Sequence, residues 1–362
     1  MIYINYLSKI RNRIGMTEEE LEREIAYNTG RIATKVVENT THIRIDPAAS
    51  VKAVAMSDKI RNFIINHPIS VKRTAFVDAQ RHAVYYYDFS EMYHTFQIPK
   101  RKGGFREICA PNDELKQLQH ELMLLFTRTM KFLPHNAAHG FTRKRNCKTS
   151  LEVHKQHGSR WFLKLDIKDF FPNTSFQQVY DAMAMVYPFC TLSTEQRWLF
   201  TSLCTLGEST PQGAPTSPVI TNLVMVANDV AITKYCKEHG LIYTRYADDI
   251  LISSRVSFNW ETVQRDIQNI LQNYEIKEEK TRYGSYNGRN WNLGLMYNNQ
   301  GEITVGHAKK QLVKNMIHNY LTKEECKTSE YYYKLIGIVG YCNYIEPQYF
   351  NKYMEILKAN RL

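Results

Sequence analysis

No apolar run long enough to span a bilayer occurs in this 362-residue chain, and its first residues, Met1 to Gly15, are too charged for a secretory signal. The seven cysteines (Cys109, Cys147, Cys190, Cys204, Cys236, Cys326 and Cys342) never fall at the short spacing of a zinc site. Their odd number argues against a full disulfide framework. Internal repeats and low-complexity tails are absent too. A cytoplasmic protein without a membrane partner is expected. Acidic residues are also short: 36 Asp and Glu face 47 Lys and Arg, for a formal charge of +11. With 24 Tyr and 16 Phe beside those cations, the expected partner is nucleic acid.

What is present organises itself around Tyr246-Ala247-Asp248-Asp249. Apolar β-formers flank it, Leu241-Ile242-Tyr243 before and Ile250-Leu251-Ile252 after, so two strands joined by a tight turn are expected. Two adjacent carboxylates at a hairpin tip repel each other, and a hard divalent cation gives a reason for the pairing. An apolar strand, Trp161 to Leu165, leads to Asp166. If these strands are neighbours, three carboxylates meet at one sheet edge, as two-metal phosphoryl chemistry requires.

Other stretches fall into place around this centre. Residues 1–88 read as a helical extension: Thr17 and Glu20 suit a capping box opening a helix to Asn39, Pro47 breaks the next stretch, and Val51 to Ile65 has helical spacing. Phe96 to Ile108 reads as strand, basic Gly103-Gly104 turn and strand, with Lys100, Arg101, Lys102 and Arg106 gathered on one hairpin. Helices are expected over Leu115–Phe126, Cys147–His157, Val219–Tyr235 and Trp260–Tyr274, with a further strand over Trp291–Tyr297. The loop Thr210 to Pro218 is small and rigid, and Gly213 would let a nucleotide and template base approach the backbone.

These blocks, in order, resemble reverse transcriptases of the bacterial retron and group II intron lineage: IPKRKGGFREICAP with LKQLQ, AHGFTRKRN, LKLDIKDFFPNTSF, TPQGAPTSPVITNLV, YTRYADDILIS, EEKT and NLGLMYN. The resemblance implies an α+β right-hand polymerase: fingers and a palm with an antiparallel sheet over 89–300, and a helical thumb over 301–362. It implies RNA-directed DNA synthesis on a dedicated structured non-coding RNA, in a retron or related anti-phage system, with two Mg2+ ions that Mn2+ can replace. Asp166, Asp248 and Asp249 would be the catalytic metal ligands, with the carbonyl of Ile167. Lys280 would protonate the leaving pyrophosphate. Arg106 with Lys100 or Arg101 would grip the triphosphate, Phe171 would gate the sugar, and Gln212 and Gly213 would lie against nucleotide and template. Leu293, Gly294 and Leu295 would form the primer grip. The partners implied are the RNA, its DNA product and dNTPs, with an effector protein and self-association compatible with it.

One departure stands out, because Trp291-Asn292 occupies the place where retron enzymes usually carry a Val-Thr-Gly tripeptide. That leaves room for a defence-associated enzyme making repetitive or protein-primed DNA; a rival of another class, against which the three acids speak, is a non-catalytic RNA-binding scaffold. Bland readings stand beside several residues. Lys280 suits a solvated charged segment, His139 a structural turn, Tyr331-Tyr332-Tyr333 helix packing, and one of Phe170 and Phe171 the core.

Overall fold

The computed structural model describes residues 47–77, 83–100, 103–129, 134–285, 291 and 293–361. The helix expected between Thr17 and Asn39 lies outside the described residues, as does Arg101. None of the described helices is long and apolar enough to cross a membrane.

Helix α1 (Pro47–Asn66) opens on the proline expected to break it. Proline suits the first helical turn, where its missing N–H has no partner to lose. Ala53, Met56 and Ile60 form its buried face. The stretch that follows is not helical: β1 (Lys72–Val77) and β2 (Ala83–Asp88) pair as an antiparallel hairpin. Val84-Tyr85-Tyr86-Tyr87 prefers a pleated strand, and that preference outweighs the local helical spacing.

The fingers hairpin, β3 (Tyr93–Pro99) and β4 (Phe105–Pro111), turns through Gly103 and Gly104, both at positive φ. Helix α2 (Asp113–Thr129) follows, its third amide bonded to the Asn112 side chain and Leu115, Leu118 and Leu122 buried. Helix α3 (Cys147–Gln156) starts at a capping box between Asn146 and Thr149. Strand β5 (Trp161–Asp166) leads to α4 (Phe176–Met185) and α5 (Thr194–Cys204). The helix expected over 219–235 runs as two, α6 (Ser217–Val224) and α7 (Val226–Glu238), which meet at Met225. Thr221 returns its hydroxyl to the Ser217 carbonyl at 2.9 Å, a bond that bends helices.

The palm sheet is completed by β6 (Ile242–Tyr246), β7 (Asp249–Ser254) and, after α8 (Trp260–Leu271), β8 (Arg282–Ser285). Its order is β6-β7-β5-β8, antiparallel throughout. Leu163, Leu165, Ile250 and Ile252 pack against α7 and α8 in one core cluster. Phe162 and Leu251 join another cluster that holds Trp291 and the C-terminal helices. Burial on both faces explains why these strands read as nearly continuous apolar runs. The expected strand over 291–297 shrinks to β9 (Met296–Tyr297), paired with β10 (Ile303–Thr304), because Leu293 and Gly294 turn at positive φ. Helices α9 (Gly306–Thr322), α10 (Ser329–Ile345) and α11 (Pro347–Ala359) follow. The start of α3 receives α10, where Asn146 donates to the Tyr344 hydroxyl (2.8 Å) and Lys148 to its carbonyl (3.0 Å). Within α10, Tyr332 packs in the core while Tyr333 faces solvent.

A polar network lies between α3 and the sheet. His154 meets Ser253 at 2.5 Å and Thr244 at 2.8 Å, and is fully buried. Burial drives its pKa down to about 3, and those of His135 and His139 to about 4. A depressed folded pKa means that the unfolded chain, with ordinary histidine values near 6.5, takes up protons first as pH falls. The contribution is therefore complete above about pH 6.5 and is lost as pH falls towards the folded values, at up to about 1.4 kcal/mol per pH unit for each histidine. Urea unfolding at pH 7.5 and 5.5 checks this. Stability should drop by a few kcal/mol at the lower pH, and equal midpoints would remove the buried neutral histidines from the account.

Candidate active site

Strand β5 ends on Asp166 and β7 begins on Asp249, and the pairing register sets these two residues opposite each other. The amide of Ile167, a fully buried residue, donates to the Asp248 carbonyl at 2.9 Å. The two strands are neighbours, and Asp166, Asp248 and Asp249 gather at one end of the sheet. Asp248 sits in the two-residue turn of the β6–β7 hairpin. Burial, then the charges of Asp249 and Asp166, push its carboxyl pKa upward. Ala247, the other turn residue, has φ at 56°, where glycine is the usual choice and other residues sit at a cost of about 1–2 kcal/mol.

Three lysines answer the acids. Lys280 donates to both Asp166 oxygens at 2.9 Å. Burial pulls its pKa down, but the Asp166 hydrogen bond and charge outweigh burial and raise it, so the ammonium is held protonated. Lys277 lies 3.6 Å from Asp166 and 3.8 Å from Asp169, and its amide donates to the Asp166 carbonyl. Lys164 reaches Asp249 at 2.9 Å. Sequence reasoning named Lys280 and missed Lys164 and Lys277. A lysine two residues before Asp166, inside an otherwise apolar strand, was the available signal for Lys164.

Sequence reasoning also missed a buried pair behind the turn. Arg245 and Asp229 are both fully buried and meet through two contacts, Nε–Oδ1 at 2.8 Å and Nη2–Oδ2 at 2.6 Å. The Tyr243 hydroxyl donates to the same carboxylate. The signal was an ionisable residue in an apolar strand and another in an apolar helix.

The remaining expected residues divide. Gln212 and Gly213 join the fingers: the Cys109 amide donates to the Gln212 carbonyl at 2.8 Å. At Gly213, φ is 134° and a Cβ would stand 2.6 Å from the Cys109 carbonyl oxygen. Close packing against β4 therefore already requires glycine at this position. Lys100 and Arg106 are exposed on the fingers hairpin and, among the described residues, neither contacts the acids. Phe170 is core, and Phe171 is half-buried with its ring 5.6 Å from that of Phe170 and 6.1 Å from that of Phe141. Leu293 and Gly294 form an exposed turn while Leu295 is buried. His139 is buried, bonded to Thr149 at 2.8 Å.

Carboxylate and carbonyl oxygens are the donors that hard divalent cations prefer, so the chemistry of the set suits them. Among the described residues, however, no three acid, histidine or cysteine side chains form a ready cage. Asp166 and Asp249 are turned to lysines, and those contacts have to loosen for a cation to share the oxygens.

Residues 98–327 match the family model described as reverse transcriptase (RNA-dependent DNA polymerase). The Retron Mx65 reverse transcriptase of Myxococcus xanthus is 30% identical over 272 residues, covering 71% of this chain and 62% of its own length. The Retron Ec73 reverse transcriptase of Escherichia coli is 29% identical over 271 residues, covering 71% of this chain and 84% of its own. A solved apo telomerase from Candida tropicalis aligns at a TM-score of 0.42 and 13% identity, over 67% of this chain and 58% of that one.

Proposed function

Since this chain belongs to the reverse transcriptase family, we propose that it is an RNA-directed DNA polymerase that copies a structured non-coding RNA in a bacterial retron or a related anti-phage system. The observation that carries the reading is the meeting of Asp166, Asp248 and Asp249 at paired strand ends. A scaffold that only binds RNA has no use for three repelling acids in one place. Likeness to retron enzymes over 71% of the chain supports the setting.

In this reading a primer 3′-oxygen attacks the α-phosphorus of a dNTP and pyrophosphate leaves. Two Mg2+ ions, held by Asp166, Asp248, Asp249 and the Ile167 carbonyl, would supply Lewis-acid stabilisation of the oxygens involved. Lys280, kept protonated beside Asp166, carries the proton that the leaving pyrophosphate needs. Arg106 and Lys100 bring cations to the triphosphate from the fingers hairpin. Phe171 would exclude ribonucleotides by colliding with a 2′-hydroxyl, and the Leu293 to Leu295 turn would support the primer. The template is recognised by phosphate contact and duplex shape along the basic, aromatic C-terminal helices.

The test is to purify the protein with its native locus, sequence the nucleic acid that travels with it and supply dNTPs. A single RNA species carrying a short complementary DNA is the expected product. Long repetitive DNA, or DNA attached to the protein through denaturation, would replace the retron setting with a protein-primed one. Bound RNA with no DNA made in Mg2+ or Mn2+ would overturn the polymerase reading.

A further inference from the structure

We infer that the buried Arg245–Asp229 pair is a positioning device for the carboxylate turn, an inference that rests on the acid cluster being the catalytic centre proposed above. The turn itself is under backbone strain. Its first residue, Ala247, sits in the left-handed region at φ 56°, so local preference does not hold it there. Something behind must.

One hydrogen bond reaches the turn, and four more fix the arginine that makes it. The Arg245 guanidinium donates through Nη1 to the Ala247 carbonyl at 3.0 Å, the carbonyl that immediately precedes Asp248. The same fork is fixed from the other side by both oxygens of Asp229, which projects from α7. The Arg245 backbone is clamped in turn by the loop before α3: its amide donates to the Ala137 carbonyl and its carbonyl accepts from the His139 amide, each at 2.7 Å. Gly140 then lies so close that a Cβ there would stand 2.5 Å from the Ala247 nitrogen.

A purely structural role does not account for this arrangement. A buried ion pair is weak grounds for stability, because well-packed apolar residues often replace one without loss. An apolar pair would fill the same space between α7 and β6. What it could not supply is the donor to the Ala247 carbonyl. Arginine alone combines a planar fork for Asp229 with a further N–H for that carbonyl. The pair therefore acts on the reaction through the backbone that carries Asp248, without touching substrate.

The test uses the full chain with its RNA and compares Arg245→Met/Asp229→Leu with wild type and with Asp248→Asn. The double variant removes both charges together, so no charge is left buried alone. With folding confirmed by a cooperative melt, kcat for dNTP addition should fall about tenfold or more while KM for dNTP stays within about twofold. Mn2+ binding to the protein, read by electron paramagnetic resonance without turnover, should weaken about fivefold. Arg245→Lys keeps the charge balance but lacks the fork. It should show the same losses in milder form, and it carries the test if the apolar pair does not fold. Wild-type kcat and wild-type Mn2+ affinity in the folded variant would make the pair merely structural. Full activity in Asp248→Asn would instead remove the catalytic centre itself.

Discussion

Asp248→Asn should lower dNTP incorporation by about a thousandfold or more and leave the affinity for the RNA near normal. The amide has the shape of the carboxylate but no negative oxygen to share with a cation. The substitution leaves untouched the basic residues proposed to hold RNA, so binding should survive. The fold should not suffer. Burial and the neighbouring acids already push the Asp248 carboxyl towards its neutral form, so a permanently neutral side chain relieves repulsion in the native state. Thermal melts should therefore show a Tm equal to or above that of wild type while synthesis collapses, the trade expected of a functional acid. Synthesis at the full rate would mean that these carboxylates are not the reaction centre.

Phe171→Ala should admit ribonucleotides. In the proposed reading its ring abuts the sugar, and shortening it leaves space for a 2′-hydroxyl. The preference for dNTP over rNTP, taken as a ratio of kcat/KM values, should fall by about a hundredfold. The stability loss should be small, about 1 kcal/mol, because Phe171 is only half-buried and the fully buried neighbour is Phe170. Competition between dCTP and CTP on one template measures the ratio directly. Unchanged sugar selectivity would take the gate away from Phe171.

Much of the fold could be read from periodicity. The carboxylate hairpin, the apolar strand leading to Asp166, the glycine-turned fingers hairpin and most helices stand where the pattern put them. Three misreadings have local causes. The short β1–β2 hairpin does not alternate in polarity and follows a strong helical stretch, so only its strand propensity marked it. The helix over 217–238 divides at Met225 while its apolar face continues on both sides. The Leu293-Gly294 turn interrupts residues with good strand propensity.

The site divides along a different line. Its acids were legible from context: Asp248-Asp249 lies between apolar arms, an apolar strand leads to Asp166, and the blocks around them follow one family's order. Their partners were not, because pairing depends on tertiary contact: Lys280 reaches Asp166 across 114 positions. Lys164, Arg245 and Asp229 each interrupt an apolar run, so each was visible as an oddity without an address. Gly213 shows the converse. Its need for glycine was legible, but the crowding atom belongs to Cys109 on another element.

The lysines around the acids have a consequence for the order in which ligands arrive. Asp166, Asp169, Asp248 and Asp249 contribute four negative charges, and Lys164, Lys277 and Lys280 contribute three positive ones, so most of the acid charge is already matched. A divalent cation entering alone meets ammonium groups already paired with its ligands, and two would leave a large excess of positive charge. In the proposed reading a triphosphate would carry negative charge into the cluster, and its oxygens would draw lysines away from the carboxylates. Cation and nucleotide would therefore be thermodynamically linked, each raising the other's affinity by the same factor. On the proposed chemistry, the site loads as a salt, with metal and nucleotide entering together.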